Sequence, residues 1–117
     1  AIAAPRRLAR PMVLASSIPA PSGSIANIIV LADRCFTTTT KRRARVPNGT
    51  GDLLAALFAG HLLAGRTPAD SLARAVAGTD VALAACEGRE ELAIAGNLTA
   101  IVAATPCNVD RTGTPPD

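Results

Sequence analysis

The segment Leu53-Leu54-Ala55-Ala56-Leu57-Phe58-Ala59-Gly60-His61-Leu62-Leu63 is apolar almost all the way round a helix. A helix of that kind is expected to be buried on most sides. It is entered from Val46-Pro47-Asn48-Gly49-Thr50-Gly51-Asp52, where breakers cede at once to helix formers, and Gly65 is placed to end it as a left-handed cap. At 117 residues the chain is expected to form one domain, spanning 1–117, with room for a single small core.

The flanking segments supply the partners. Met12-Val13-Leu14-Ala15 is a short apolar block ending at Ser16-Ser17, as a buried strand leaving a sheet into a loop would read. Pro19, Pro21 and Gly23 then enforce a turn. Residues 24–31 are rich in Ile and Val and residues 34–40 are β-branched, with Ala32-Asp33 between them, which predicts a hairpin.

Downstream, Thr67-Pro68-Ala69-Asp70 is a second helix start, with Thr67 as N-cap, Pro68 at the first helical position and Asp70 near the positive end of the dipole. That helix should run to about Cys86, weakened in its middle by Gly78, at about 1 kcal/mol. Glu91-Leu92-Ala93-Ile94-Ala95 alternates like a short strand, residues 98–104 suit a helical turn, and residues 105–117 are expected to be a loose tail. Strands followed by a glycine loop and two helices indicate α/β packing rather than a bundle.

Composition narrows the reading. Alanine fills 25 positions and the aromatics are only Phe36 and Phe58, so large core anchors are few. The net charge of +3 conceals a split, with +7 over residues 1–51 and −4 over residues 52–117. The apolar run Leu53 to Ala64, broken by Gly and His, falls short of the ~20 residues of a membrane span, and no targeting segment is expected after Arg6-Arg7. Cys35, Cys86 and Cys107 are far apart and form no CxxC pair, which argues for reduced thiols in the cytoplasm rather than disulfides or zinc. His61 has no second ligand at helical spacing and reads as a packed histidine.

Asn48-Gly49-Thr50-Gly51-Asp52 carries the chemistry. A helix N-terminus offers N–H groups and about half a positive charge, so it can hold an anion. Gly49 and Gly51 would allow positive φ and leave room for a phosphate oxygen to approach the backbone. A carboxylate beside a transferring phosphoryl group makes sense as a general base, which is the role expected of Asp52. The same residues could also be no more than a turn and a first-turn acid. No Lys follows Gly51 as in a Walker loop, and no GxGxxG appears.

Residues 46–57, Val-Pro-Asn-Gly-Thr-Gly-Asp-Leu-Leu-Ala-Ala-Leu, resemble the phosphate-loop motif of pyridoxal kinases, within the ribokinase-like superfamily. Residues 13–24, Val-Leu-Ala-Ser-Ser-Ile-Pro-Ala-Pro-Ser-Gly-Ser, resemble that family's strand and nucleotide-contact loop, in the right order and spacing. Residues 90–95 are similar, more weakly, to its C-terminal strand.

The resemblance implies the C-terminal portion of a ribokinase-like three-layer α/β/α fold. It also implies transfer of the γ-phosphoryl group of ATP, with Mg2+, to the 5′-hydroxyl of pyridoxal, pyridoxine or pyridoxamine. Asp52 matches the family's base, Gly49, Thr50 and Gly51 its anion hole, and Ser16, Val46, Pro47 and Asn48 positions along the nucleotide. Ala15 departs from the usual Thr, removing a hydroxyl. Family members are well over twice as long and often dimeric. The portion not represented here carries most of the vitamin pocket, so this stretch alone is expected to be inactive.

The competing expectation is a small noncatalytic module that binds polyanions through Lys41, Arg42, Arg43 and Arg45. No aromatic residue stands beside that run for base stacking, so a nucleic-acid partner is not expected, and neither is a membrane.

Overall fold

The structure, a computed structural model, describes residues 12–41, 43, 49–86 and 94–112. Four strands, β1 (Val13–Ala20), β2 (Ser24–Val30), β3 (Cys35–Lys41) and β4 (Asp110–Thr112), form a sheet in the order β1-β2-β3-β4, antiparallel at each pairing. The three principal helices are α1 (Thr50–Leu63), α2 (Pro68–Ala85) and α3 (Leu98–Val102). A sheet carrying helices is the α/β class that the sequence predicts.

The hairpin forms where expected. Val30 pairs with Cys35, and the Leu31 N–H donates to the Arg34 carbonyl at 2.8 Å across Ala32-Asp33. Strand β1 differs from its prediction, because it does not stop at Ser16-Ser17. It continues to Ala20 through a bulge, in which Ser16 and Ser17 together stand opposite the single residue Asn27. Ser17 takes a left-handed φ of 57°, and its N–H, displaced from the ladder, donates to Asn27 Oδ1 at 3.2 Å. Pro19 is accommodated because β1 is an edge strand of the described sheet.

Ile29 and Phe36 are paired across β2 and β3, so they share one face of the sheet, and the helices pack there. Their partners in the core are Leu53, Leu54, Leu57 and Phe58 of α1, Leu72, Ala75, Val76 and Ala82 of α2, and Ile101 of α3. The all-round apolar sequence of α1 is only partly buried, since Ala55, Ala56, Ala59 and Leu63 are exposed and Leu63 keeps 89% of its surface.

The turn between α1 and α2 follows its sequence signals closely. Gly65 adopts φ 95°, the Gly65 N–H donates to Leu62 O and the Arg66 N–H to His61 O, which is the Schellman pairing. Thr67 caps α2 through Oγ1, which accepts from the Asp70 N–H at 3.1 Å. Gly78 proves to be a contact rather than a weakness. A Cβ there would lie 2.5 Å from the Ile101 carbonyl oxygen, so its absence lets α3 lie against α2.

Two further segments depart from expectation. Ile94 and Ala95, read from alternation as strand, lead into a 3₁₀ turn at Ala95–Asn97, while residues 91–93 lie outside the described residues. Within the stretch read as a tail, Asp110–Thr112 form β4 against Cys35–Thr37, and the Cys107 N–H donates to Ala73 O.

Candidate functional site

The glycine loop opens on a cavity of about 330 Å³, within the size range of small-molecule sites. Its floor is the sheet, where Ile25 and Asn27 of β2 and Thr40 and Lys41 of β3 meet Ser17 of the β1 bulge. Gly49, Thr50, Gly51 and Leu54 of α1 form one wall, and Val76, Thr79, Asp80 and Leu83 of α2 the other. Arg43 completes the lining.

The first turn of a helix carries N–H groups with no partner inside the helix, and the start of α1 brings such a turn to the cavity. Its N-cap is Gly49, at φ 88° and ψ 0°, and among the described residues no side-chain cap hydrogen bond is recorded. The positive φ expected at both glycines occurs here only at Gly49. Gly51 is helical, exposed, and has nothing within 4 Å of where a Cβ would stand, so its contribution is open space above the backbone. The dipole of a 14-residue helix adds positive potential at this end.

The lining divides by chemistry. Ile25, Leu54, Val76 and Leu83 give an apolar part, whereas Lys41, Arg43 and the α1 terminus give a cationic part. Among the described residues Asp80 is the one carboxylate in the lining, and Arg43 Nη2 donates to its Oδ1 at 2.6 Å. Asn27 is buried and committed to the Ser17 N–H through its carbonyl oxygen, and the Thr79 hydroxyl donates to Ala75 O at 2.8 Å.

Of the residues singled out in the sequence, Gly49, Thr50 and Gly51 line this cavity together. Asp52 is in the first turn of α1, exposed and adjacent to the lining rather than in it. Ser16 is exposed and its neighbour Ser17 faces the cavity instead, as the bulge re-aims the pair. Val46, Pro47 and Asn48 lie outside the described residues, as do Arg42 and Arg45.

Sequence reasoning did not find the far wall. Asn27 interrupting Ile25-Ala26-Asn27-Ile28-Ile29, and Thr79-Asp80 interrupting an otherwise apolar run of α2, were the available signals. Among the described residues no three His, Cys, Asp or Glu side chains gather to hold a metal ion, and no helix is long and apolar enough to cross a membrane.

No protein-family model matches the sequence, and no curated protein does. Solved structures match the fold. A pyridoxal kinase from Entamoeba histolytica superposes with a TM-score of 0.77 at 19% identity, over 88% of this chain and 38% of the kinase. A pyridoxal kinase from Leishmania donovani, solved in complex with ADP, gives 0.71 at 18% identity, over 90% of this chain and 39% of that one. A Bacteroides thetaiotaomicron protein assigned as a phosphomethylpyrimidine kinase gives 0.73 at 17% identity, over 87% and 37%. The chain therefore shares the fold of the matching part of these kinases and spans less than two fifths of the length of these structures.

Proposed function

We propose that the cavity is the nucleotide side of a phosphotransferase site, and that the chain serves in ATP-dependent phosphorylation of the 5′-hydroxyl of pyridoxal, pyridoxine or pyridoxamine. The observation that carries this reading is the cavity itself. A helix terminus with a left-handed glycine, two cations and an apolar wall converge on one space, in a fold shared with kinases of which one holds ADP.

In this reading the apolar part formed by Ile25, Leu54, Val76 and Leu83 takes the nucleobase, and Lys41, Arg43 and the loop take the phosphates. The N–H groups at the start of α1 stabilise charge developing on the transferring phosphoryl oxygens, where one donor is worth about 2.7–4 kcal/mol of barrier. Asp52 accepts the proton of the acceptor hydroxyl as that oxygen attacks the γ-phosphorus and ADP departs. Its position just beyond the lining suits this role, because a base for the acceptor belongs past the terminal phosphate and not among the phosphates. Mg2+ is ordinarily held by one or two carboxylates together with substrate phosphates. Among the described residues no three such side chains gather, so a Mg2+ here would rest chiefly on the nucleotide phosphates.

Polyanion binding by residues 41–45 is the weaker reading, since Lys41 and Arg43 both line the cavity. The decisive variant is Asp52→Asn in a chain long enough to include the acceptor half of the site. Phosphorylation of pyridoxal should fall about 10²–10⁴-fold with ADP affinity little changed. Retained turnover would overturn the assignment of Asp52.

A further inference from the structure

The pairing of Arg43 with Asp80 poses a question that the nucleotide reading, on which this inference rests, leaves open: why a site for a polyanion places a carboxylate in its wall. The two residues come from different elements of the lining, Arg43 just after β3 and Asp80 on α2. Their contact of 2.6 Å is short even for a charge-assisted hydrogen bond. It joins one guanidinium nitrogen to one carboxylate oxygen, whereas a guanidinium carries five N–H donors in a fixed plane. Asp80 thus engages one nitrogen of Arg43 and restrains the side chain, and no other hydrogen bond of this guanidinium is recorded among the described residues. Lys41, the other cation in the lining, is exposed and has no ion pair among the described residues, so it must be ordered by the ligand itself.

We propose that Asp80 is a positioning residue: it holds Arg43 at the cavity with its other N–H groups available to the phosphates of the nucleotide, so that a carboxylate in the wall strengthens the binding of a polyanion. The ordering of a long side chain is then complete before the ligand arrives.

The sign of one substitution separates this from plain electrostatics. Removing a negative charge from a polyanion site should by Coulomb's law tighten binding, whereas loss of a positioning residue should weaken it. Titration of the 117-residue chain with ADP by calorimetry, alongside Asp80→Asn, Arg43→Gln, the double variant and Asp80→Glu, reads the difference. Expected are a loss of about tenfold for Arg43→Gln, about three- to fivefold for Asp80→Asn, no further loss from Asp80→Asn when Arg43 is already Gln, and recovery in Asp80→Glu. Unchanged or tighter ADP binding by Asp80→Asn overturns the proposal, as does an equal loss in the Arg43→Gln background, which would mark a general structural effect. Absence of ADP binding by the unsubstituted chain instead overturns the nucleotide reading, and this inference falls with it.

Discussion

Helix α1 has a left-handed glycine at each end, Gly49 at φ 88° and Gly65 at φ 95°, and the two ends have opposite fates. At the Gly65 end the chain satisfies its own backbone. Two Schellman hydrogen bonds close the carbonyls of His61 and Leu62, and Thr67 immediately caps the next helix. At the Gly49 end no side-chain cap is recorded among the described residues, and the terminus faces a cavity lined by Lys41 and Arg43. The same backbone conformation therefore closes a fold at one end and opens a site at the other. What separates them is where the polar groups of the helix terminus find partners.

The same substitution at both ends gives the sharpest contrast. Gly49→Ala and Gly65→Ala each force a Cβ into a left-handed conformation, at about 1–2 kcal/mol of stability by denaturant titration. Only Gly49→Ala should also weaken ADP binding, by about tenfold; a comparable loss from Gly65→Ala would erase the distinction between the ends. Next in size, Thr67→Ala removes the hydroxyl that accepts from the Asp70 N–H and should cost about 1 kcal/mol. ADP affinity should be unaffected by that change.

The smallest effect concerns pH at the closed end. His61 is buried, with Nε2 unpartnered among the described residues. Burial, then the charges of Arg66 and Arg74, hold its imidazole below the ordinary value of 6.5, against a lesser opposing pull from Asp70. The unfolded chain consequently takes up its proton first as pH falls. Stability should be complete above about pH 6.5 and decline below it, until the folded imidazole itself titrates. Unfolding midpoints measured from pH 8 to pH 5 should show this decline in the parent chain and a flatter profile in His61→Leu; identical profiles would remove His61 as its source.

The two ends of α1 also differ in how far their sequence could be read. Gly65, Thr67, Pro68 and the Ala32-Asp33 connection act through neighbours a few residues away, so their signals are local and the structure repeats them. The β1 bulge is settled by Asn27, ten residues from Ser17, and nothing within Ser16-Ser17 says that the strand continues. Gly78 looks like a weak point until Ile101 is brought against it. The alternation at residues 91–95 is short enough to be misread, and at Ile94 and Ala95 the chain enters a 3₁₀ turn. At the candidate site the left-handed turn at Gly49 was legible from the residue itself, whereas Gly51, read the same way, is helical. The opposing wall of Thr79, Asp80 and Leu83 was not, since it exists only once α2 folds back beside α1.

The most direct test of the account is a titration of the isotopically labelled 117-residue chain with ADP, followed through its backbone amide resonances. The expected result is saturable shifts concentrated at Gly49, Thr50 and Gly51, with a second group at Ser17, Thr40, Lys41 and Asp80, and little change around Gly65 and Thr67. Shifts centred on the closed end of α1, or no saturable shifts at all, would contradict it.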